Sequence, residues 1–132
     1  MTGNKEGIYF AWFTGGAKKG CFFTKSTDNG KSFAEGERLS SFGSHPQIAS
    51  MEEGRMMIAW DEPTGEGNSM GRCIKIQPRS AAGKPGNTIA VSPVDKMASY
   101  PVLANSGGKK ALLAYTVKEN DKDFIYYQSL GW

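Results

Sequence analysis

Apolar residues in this chain come in short runs and not at helical spacing. IYFAW, CFFTK, HPQIA, RMMIAWD, CIKIQ, NTIAVS and FIYYQSL each cover a few residues, and glycine, asparagine or aspartate separates them. Runs of this length bounded by turn residues read as strands, and glycine or asparagine allows the chain to reverse. No segment carries convincing 3.6-residue periodicity, so the pattern predicts an all-β domain of short antiparallel strands.

The runs also repeat. HPQIASMEEGRMMIAW (His45 to Trp60) aligns without a gap on YPVLANSGGKKALLAY (Tyr100 to Tyr115). Pro46 meets Pro101, Ile58 meets Leu113, Ala59 meets Ala114 and Trp60 meets Tyr115. Ala11-Trp12 of IYFAW matches Ala59-Trp60. Downstream, CFFTKSTDNGKS (Cys21 to Ser32) aligns on IKIQPRSAAGKP (Ile74 to Pro85), which superimposes Gly30 on Gly83. A unit of 55 residues with four strands has the form of a β-propeller blade. The reading is therefore one domain, 1–132. It holds a partial first blade at 7–43 (strands two to four), a complete blade at 44–98 and a partial third blade at 99–132 (strands one to three).

One turn is more specific. Ser26-Thr27-Asp28-Asn29-Gly30-Lys31-Ser32-Phe33 resembles the Asp-box, the S-x-D-x-G-x-[T/S]-[W/F] hairpin of sialidases and related propellers (the bacterial neuraminidase repeat). Ser26 and Asp28 are short acceptors for backbone N–H groups within the turn, and Gly30 permits positive φ. Phe33 is expected to bury its ring as the outer strand resumes. A degenerate copy, Arg79-Ser80-Ala81-Ala82-Gly83, lacks the aspartate. The resemblance implies a partial propeller of sialidase type with antiparallel four-stranded blades, and a structural role for Ser26, Asp28, Gly30, Ser32 and Phe33. In this family the box lies away from the usual ligand face.

Composition narrows the function classes. The chain of 132 residues carries a net charge of +3 and 17 glycines. Lys18-Lys19 and Lys109-Lys110 are pairs beside glycine, which read as solvated loop tips and not as a nucleic-acid surface. No apolar run is long enough for a membrane helix. Met1 to Glu6 is polar, unlike a secretory signal, although the resembled family is often extracytoplasmic. Cys21 and Cys73 lie in apolar strand patterns without a CxxC or a histidine at metal-ligand spacing, which favours free buried thiols and leaves a disulfide open. No cofactor or metal is expected, and DEPTGEGNSMG does not follow the calcium-loop pattern.

Catalysis is the weaker reading. Sialidase chemistry needs an arginine cluster, an acid/base carboxylate and a tyrosine–glutamate pair. The F/Y-R-I-P string of that family is absent, and Arg38, Arg55, Arg72 and Arg79 share no repeat position. His45 is the only histidine. Ser44 beside it lies in no G-x-S-x-G elbow, and Tyr100 takes the equivalent repeat position, so His45 reads as a lining residue.

In a propeller the entrance face comprises the loops into each first strand and those joining strands two and three. Here these are Ser44-His45 and Ser99-Tyr100 with loops 13–20, 61–71 and 116–123. Asp61, Glu62, Glu66, Glu119, Asp121 and Asp123 would make that face acidic. Candidate ligand-binding residues are His45, Tyr100, Asp61, Glu62 and Trp12. The leading function is a non-catalytic binding or interaction module for a carbohydrate or protein. Alternatives are an exo-glycosidase active only when assembled and a purely structural fragment. Because an incomplete ring leaves open flanks, the chain is expected to form a homo-oligomer, a dimer or trimer, with Trp132 at the contact; a piece of a longer propeller is the competing explanation.

Overall fold

A computed structural model of the chain describes residues 1–65 and 71–131; Glu66 and Trp132, both singled out above, lie outside the described residues. The fold is all-β. Its strands are β1 (Thr2–Asn4), β2 (Gly7–Thr14), β3 (Gly20–Ser26), β4 (Glu37–Ser40), β5 (Ser44–Ser50), β6 (Met56–Thr64), β7 (Gly71–Arg79), β8 (Ile89–Ala90), β9 (Met97–Gly107), β10 (Lys110–Glu119) and β11 (Lys122–Gly131). The only helical pieces among the described residues are 3-10 turns at Gly16–Lys18 and Glu52–Gly54.

Strands pair with their sequence neighbours. β1 to β4 form one antiparallel meander, β5 to β8 a second and β9 to β11 a third. Among the described residues a single parallel pairing, Arg72 with Met97, links the second and third meanders into one hydrogen-bonded path. The expected first unit, 7–43, omitted β1. Thr2 pairs with Tyr9 and Asn4 with Gly7, so the first meander has four strands. The Asn4 carboxamide oxygen closes this turn by accepting the backbone N–H of Glu6 at 2.7 Å and of Gly7 at 3.2 Å.

Alternation on β6 organises the core. Met56, Ile58 and Trp60 pack with Tyr9, Cys21 and Phe23 of the first meander. Met57 and Ala59, between them in sequence, pack with Ile74, Ile76, Ala98, Ala111, Leu113, Tyr115 and Val117. The middle meander is thus buried on both faces, and this explains why RMMIAWD is nearly continuously apolar.

The STDNGKSF turn is held by its own side chains. Ser26 Oγ accepts the Gly30 N–H at 2.9 Å, Asp28 Oδ1 accepts the Ser32 N–H at 2.9 Å, and Ser32 Oγ donates to Asp28 Oδ2 at 2.5 Å. Gly30 has φ 83° and its repeat counterpart Gly83 has φ 88°, so the two turns reverse the chain at the same place. Phe33 departs from expectation. It is 46% exposed, precedes β4 by several residues, and joins Met1, Phe10, Trp12 and Thr24 around a wholly apolar cleft on the outer face of the first meander. Among the described residues no neighbouring sheet covers that face to receive the ring.

The expected entrance loops shrink. Asp61 and Glu62 belong to β6, and most of 116–123 belongs to β10 and β11. Their hairpin closes through Asn120 and Asp121, with φ 48° and 59°. Positive φ at both central residues is what a two-residue turn matched to strand twist requires.

Candidate functional site

β5 and β9 each carry a left-handed residue in their first half, His45 at φ 51° and Tyr100 at φ 55°, and each shows a register shift against its neighbour there. These are equivalent repeat positions, so the irregularity is part of the repeat. It brings the His45 and Tyr100 rings to 4.3 Å, and Phe13 closes the row at 5.1 Å from His45. A groove of about 530 Å³ runs along them, lined also by Trp12, Gln47 and Val102.

Beneath the rings lies Asp61, with no exposed side-chain surface. Its Oδ2 faces His45 Nδ1 at 2.8 Å and accepts the Tyr100 backbone N–H at 2.8 Å. Its Oδ1 accepts from Arg72 Nη2. A buried carboxylate needs this density of donors, because ionic groups removed from water are costly unless paired and hydrogen-bonded. Asp61 therefore cannot line the groove as expected. Its oxygens are committed to joining β6 to β7, to β5 at His45 and to β9 at Tyr100.

Glu62 does not line this groove either. It accepts from Ser40 Oγ at 2.7 Å and Trp60 Nε1 at 2.8 Å, and pairs with Lys75 at 2.5 Å. Burial raises its carboxyl, but the hydrogen bonds from Lys75, Ser40 and Trp60 outweigh burial and hold it below its ordinary 4.5. Glu119 is paired with Lys96 and accepts from the Tyr126 hydroxyl at 3.2 Å. The acidic face inferred from sequence is thus partly neutralised, and Asp121 and Asp123 are left on the exposed hairpin end.

Of the five candidate ligand residues, the fold gathers His45, Tyr100 and Trp12, while Asp61 holds the first two from below. Trp12 spans two surfaces, since its ring also stacks on Phe22 at 5.4 Å and Phe10 at 5.9 Å on the outer face. Sequence reasoning missed Phe13 and Gln47. Phe13 occupies the repeat position of Asp61, and this equivalence was available in the alignment.

The four arginines go to separate places. Arg38 lies over the Phe22 ring, Arg55 pairs with Glu53, Arg72 with Asp61, and Arg79 with Glu37. Cys21 and Cys73 are free and buried. Burial, with the nearby Asp61 and Glu62 charges, pushes the Cys21 thiol up to about 12. Among the described residues no group of three or more histidine, cysteine or acidic side chains is placed to hold a metal ion, and no helix is long and apolar enough to cross a membrane. No protein-family profile, curated protein or solved structure matches this chain.

Proposed function

We propose that the three meanders are blades of a partial β-propeller of sialidase type. In this reading the chain is a non-catalytic interaction module that completes its ring by self-association. The Phe13–His45–Tyr100 groove then offers ring faces and the Gln47 amide to a carbohydrate or protein ligand at the channel end of the blades.

The observation that carries this reading is the unequal burial of the sheets. β6 is covered on both faces, whereas each outer meander leaves one apolar face in solvent. A sheet of this repeat buries its flank on a like sheet, and two flanks have none. The leading strands support a radial arrangement, since β5 touches both β1 and β9. The turn chemistry of Ser26, Asp28 and Gly30 adds the motif resemblance.

Small-angle X-ray scattering of the assembled particle tests the proposal. A ring with a central channel gives a compact distance distribution with a depressed centre. An extended profile that lengthens with each added copy would refute the propeller reading and leave an open stack.

A further inference from the structure

The three meanders share one pairing register. Trp12 pairs with Phe22, Trp60 with Lys75 and Tyr115 with Tyr126 between the second and third strands. Tyr9 pairs with Thr2, Met57 with Ala49 and Leu112 with Ala104 between the first and second. Every position therefore has counterparts, and each face has a direction.

Backward-facing residues are Ile58 and Trp60 in the second unit, buried on the first, and Leu113 and Tyr115 in the third, buried on the second. Forward-facing residues are Cys21 and Phe23 in the first unit, and Ile74 and Ile76 in the second. The same position classes meet at both junctions. One set of each kind remains unused. The first unit keeps its backward set, Phe10 and Trp12, with Phe33 beside them; the third keeps its forward set, Leu112, Ile125 and Tyr127. Ile125 is 71% and Tyr127 77% exposed, whereas their counterparts Ile74 and Ile76 are 0% and 4% exposed.

We infer that these two leftover faces are the halves of one junction: the forward face of the third unit on one copy seats on the backward face of the first unit of a second copy, and the reciprocal contact closes a two-copy ring. This rests on the self-association proposed above and adds its polarity, its residues and its stoichiometry. The occupant is a second copy because the chain itself presents both halves of a contact it already makes twice. Two copies supply six sheets and three supply nine, and propellers hold typically about 4 to 8 blades. A head-to-tail contact that closes gives a finite assembly instead of a fibre. A contact outside the apolar core follows the same polarity. Phe13 of the first unit reaches His45 at the start of the second, and Asp61 of the second reaches Tyr100 at the start of the third.

The test uses Phe10→Asp on the backward face and Ile125→Lys on the forward face, with Phe33→Asp and Tyr127→Lys as second variants. All four side chains are at least 40% exposed in the single chain. Folding is checked by circular dichroism and mass by light scattering. The expected results are a two-copy wild type, single-copy variants, and recovery of the two-copy mass when equimolar Phe10→Asp and Ile125→Lys are mixed, since one junction is then unaltered and the other carries opposite charges. A two-copy wild type that keeps its mass in either variant, or two folded variants that fail to recover on mixing, would overturn the head-to-tail junction while leaving self-association intact. A wild type that stays single overturns both.

Discussion

The Asp61 carboxylate accepts the backbone N–H of Tyr100 at 2.8 Å, which ties β6 of the second meander to β9 of the third. Tyr100 offers that N–H in this direction because its φ is 55°. With His45 and Arg72 on the same carboxylate, Asp61 is the polar pin of the junction between these two units.

Removing the pin is expected to be costly. Asp61→Ala removes the acceptor shared by Arg72, His45 and the Tyr100 N–H, and we expect a loss of about 2–3 kcal/mol by denaturant unfolding. Asp61→Asn keeps one acceptor oxygen and is expected to lose less. Equal losses in the two variants would contradict the role assigned to the carboxylate.

Arg79 provides a graded comparison. Its guanidinium is fully buried, forms two bonds to Glu37 at 2.7 and 2.9 Å, donates to the Gly83 carbonyl at 2.8 Å and lies 4.0 Å over the Phe23 ring. Glu37 is 48% exposed, so water takes over its solvation when the partner goes. Arg79→Met preserves much of the packing and is expected to cost about 1–2 kcal/mol, less than Asp61→Ala in the same unfolding assay.

The turn at Asp28 predicts an acid-side pH dependence. Hydrogen bonds from the Ser32 hydroxyl and N–H, and then from Ser26, hold the Asp28 carboxyl at about 2, below its ordinary 3.8. A depressed carboxyl stabilises the fold above its unfolded value, and the contribution disappears as pH falls through the folded value. Melting temperature is therefore expected to drop as pH is lowered from about 4 to about 2, with a shallower slope in Asp28→Asn. Glu62, also held low, adds in the same direction. An unchanged slope in Asp28→Asn would show that the turn bonds do not stabilise the fold.

The Cys21 thiol sits without exposed surface between the first two meanders and is held at about 12. Since the thiolate is the reactive form, a thiol reagent at neutral pH is expected to label Cys21 at the rate of opening of that junction. Rapid labelling of Cys21 in the folded wild type would contradict the packing.

Much of this arrangement was legible in the residues. RMMIAWD and KALLAY are short apolar runs that align without a gap, so strands and repeat register followed from pattern alone. β1 was hidden because Met1 to Asn4 is short and polar, with no alternation to read. Thr116 to Asp123 looked like a polar loop, but a two-residue reversal at Asn120-Asp121 lets the strands run almost to its tip. Asp61 was read as a lining residue because carboxylates normally mark solvent; its burial depends on Arg72, eleven residues away on the paired strand, which no local signal reveals. Phe33 followed the motif and was expected inside, yet its ring lies on a flank that no sheet of the described residues covers.

The exposed flanks make solution mass the most direct measurement of the central claim. Light scattering across a concentration series is expected to give twice the 14.3 kDa of the chain, constant once the ring has closed. A mass that remains at one chain throughout, or one that climbs without limit, would contradict the account.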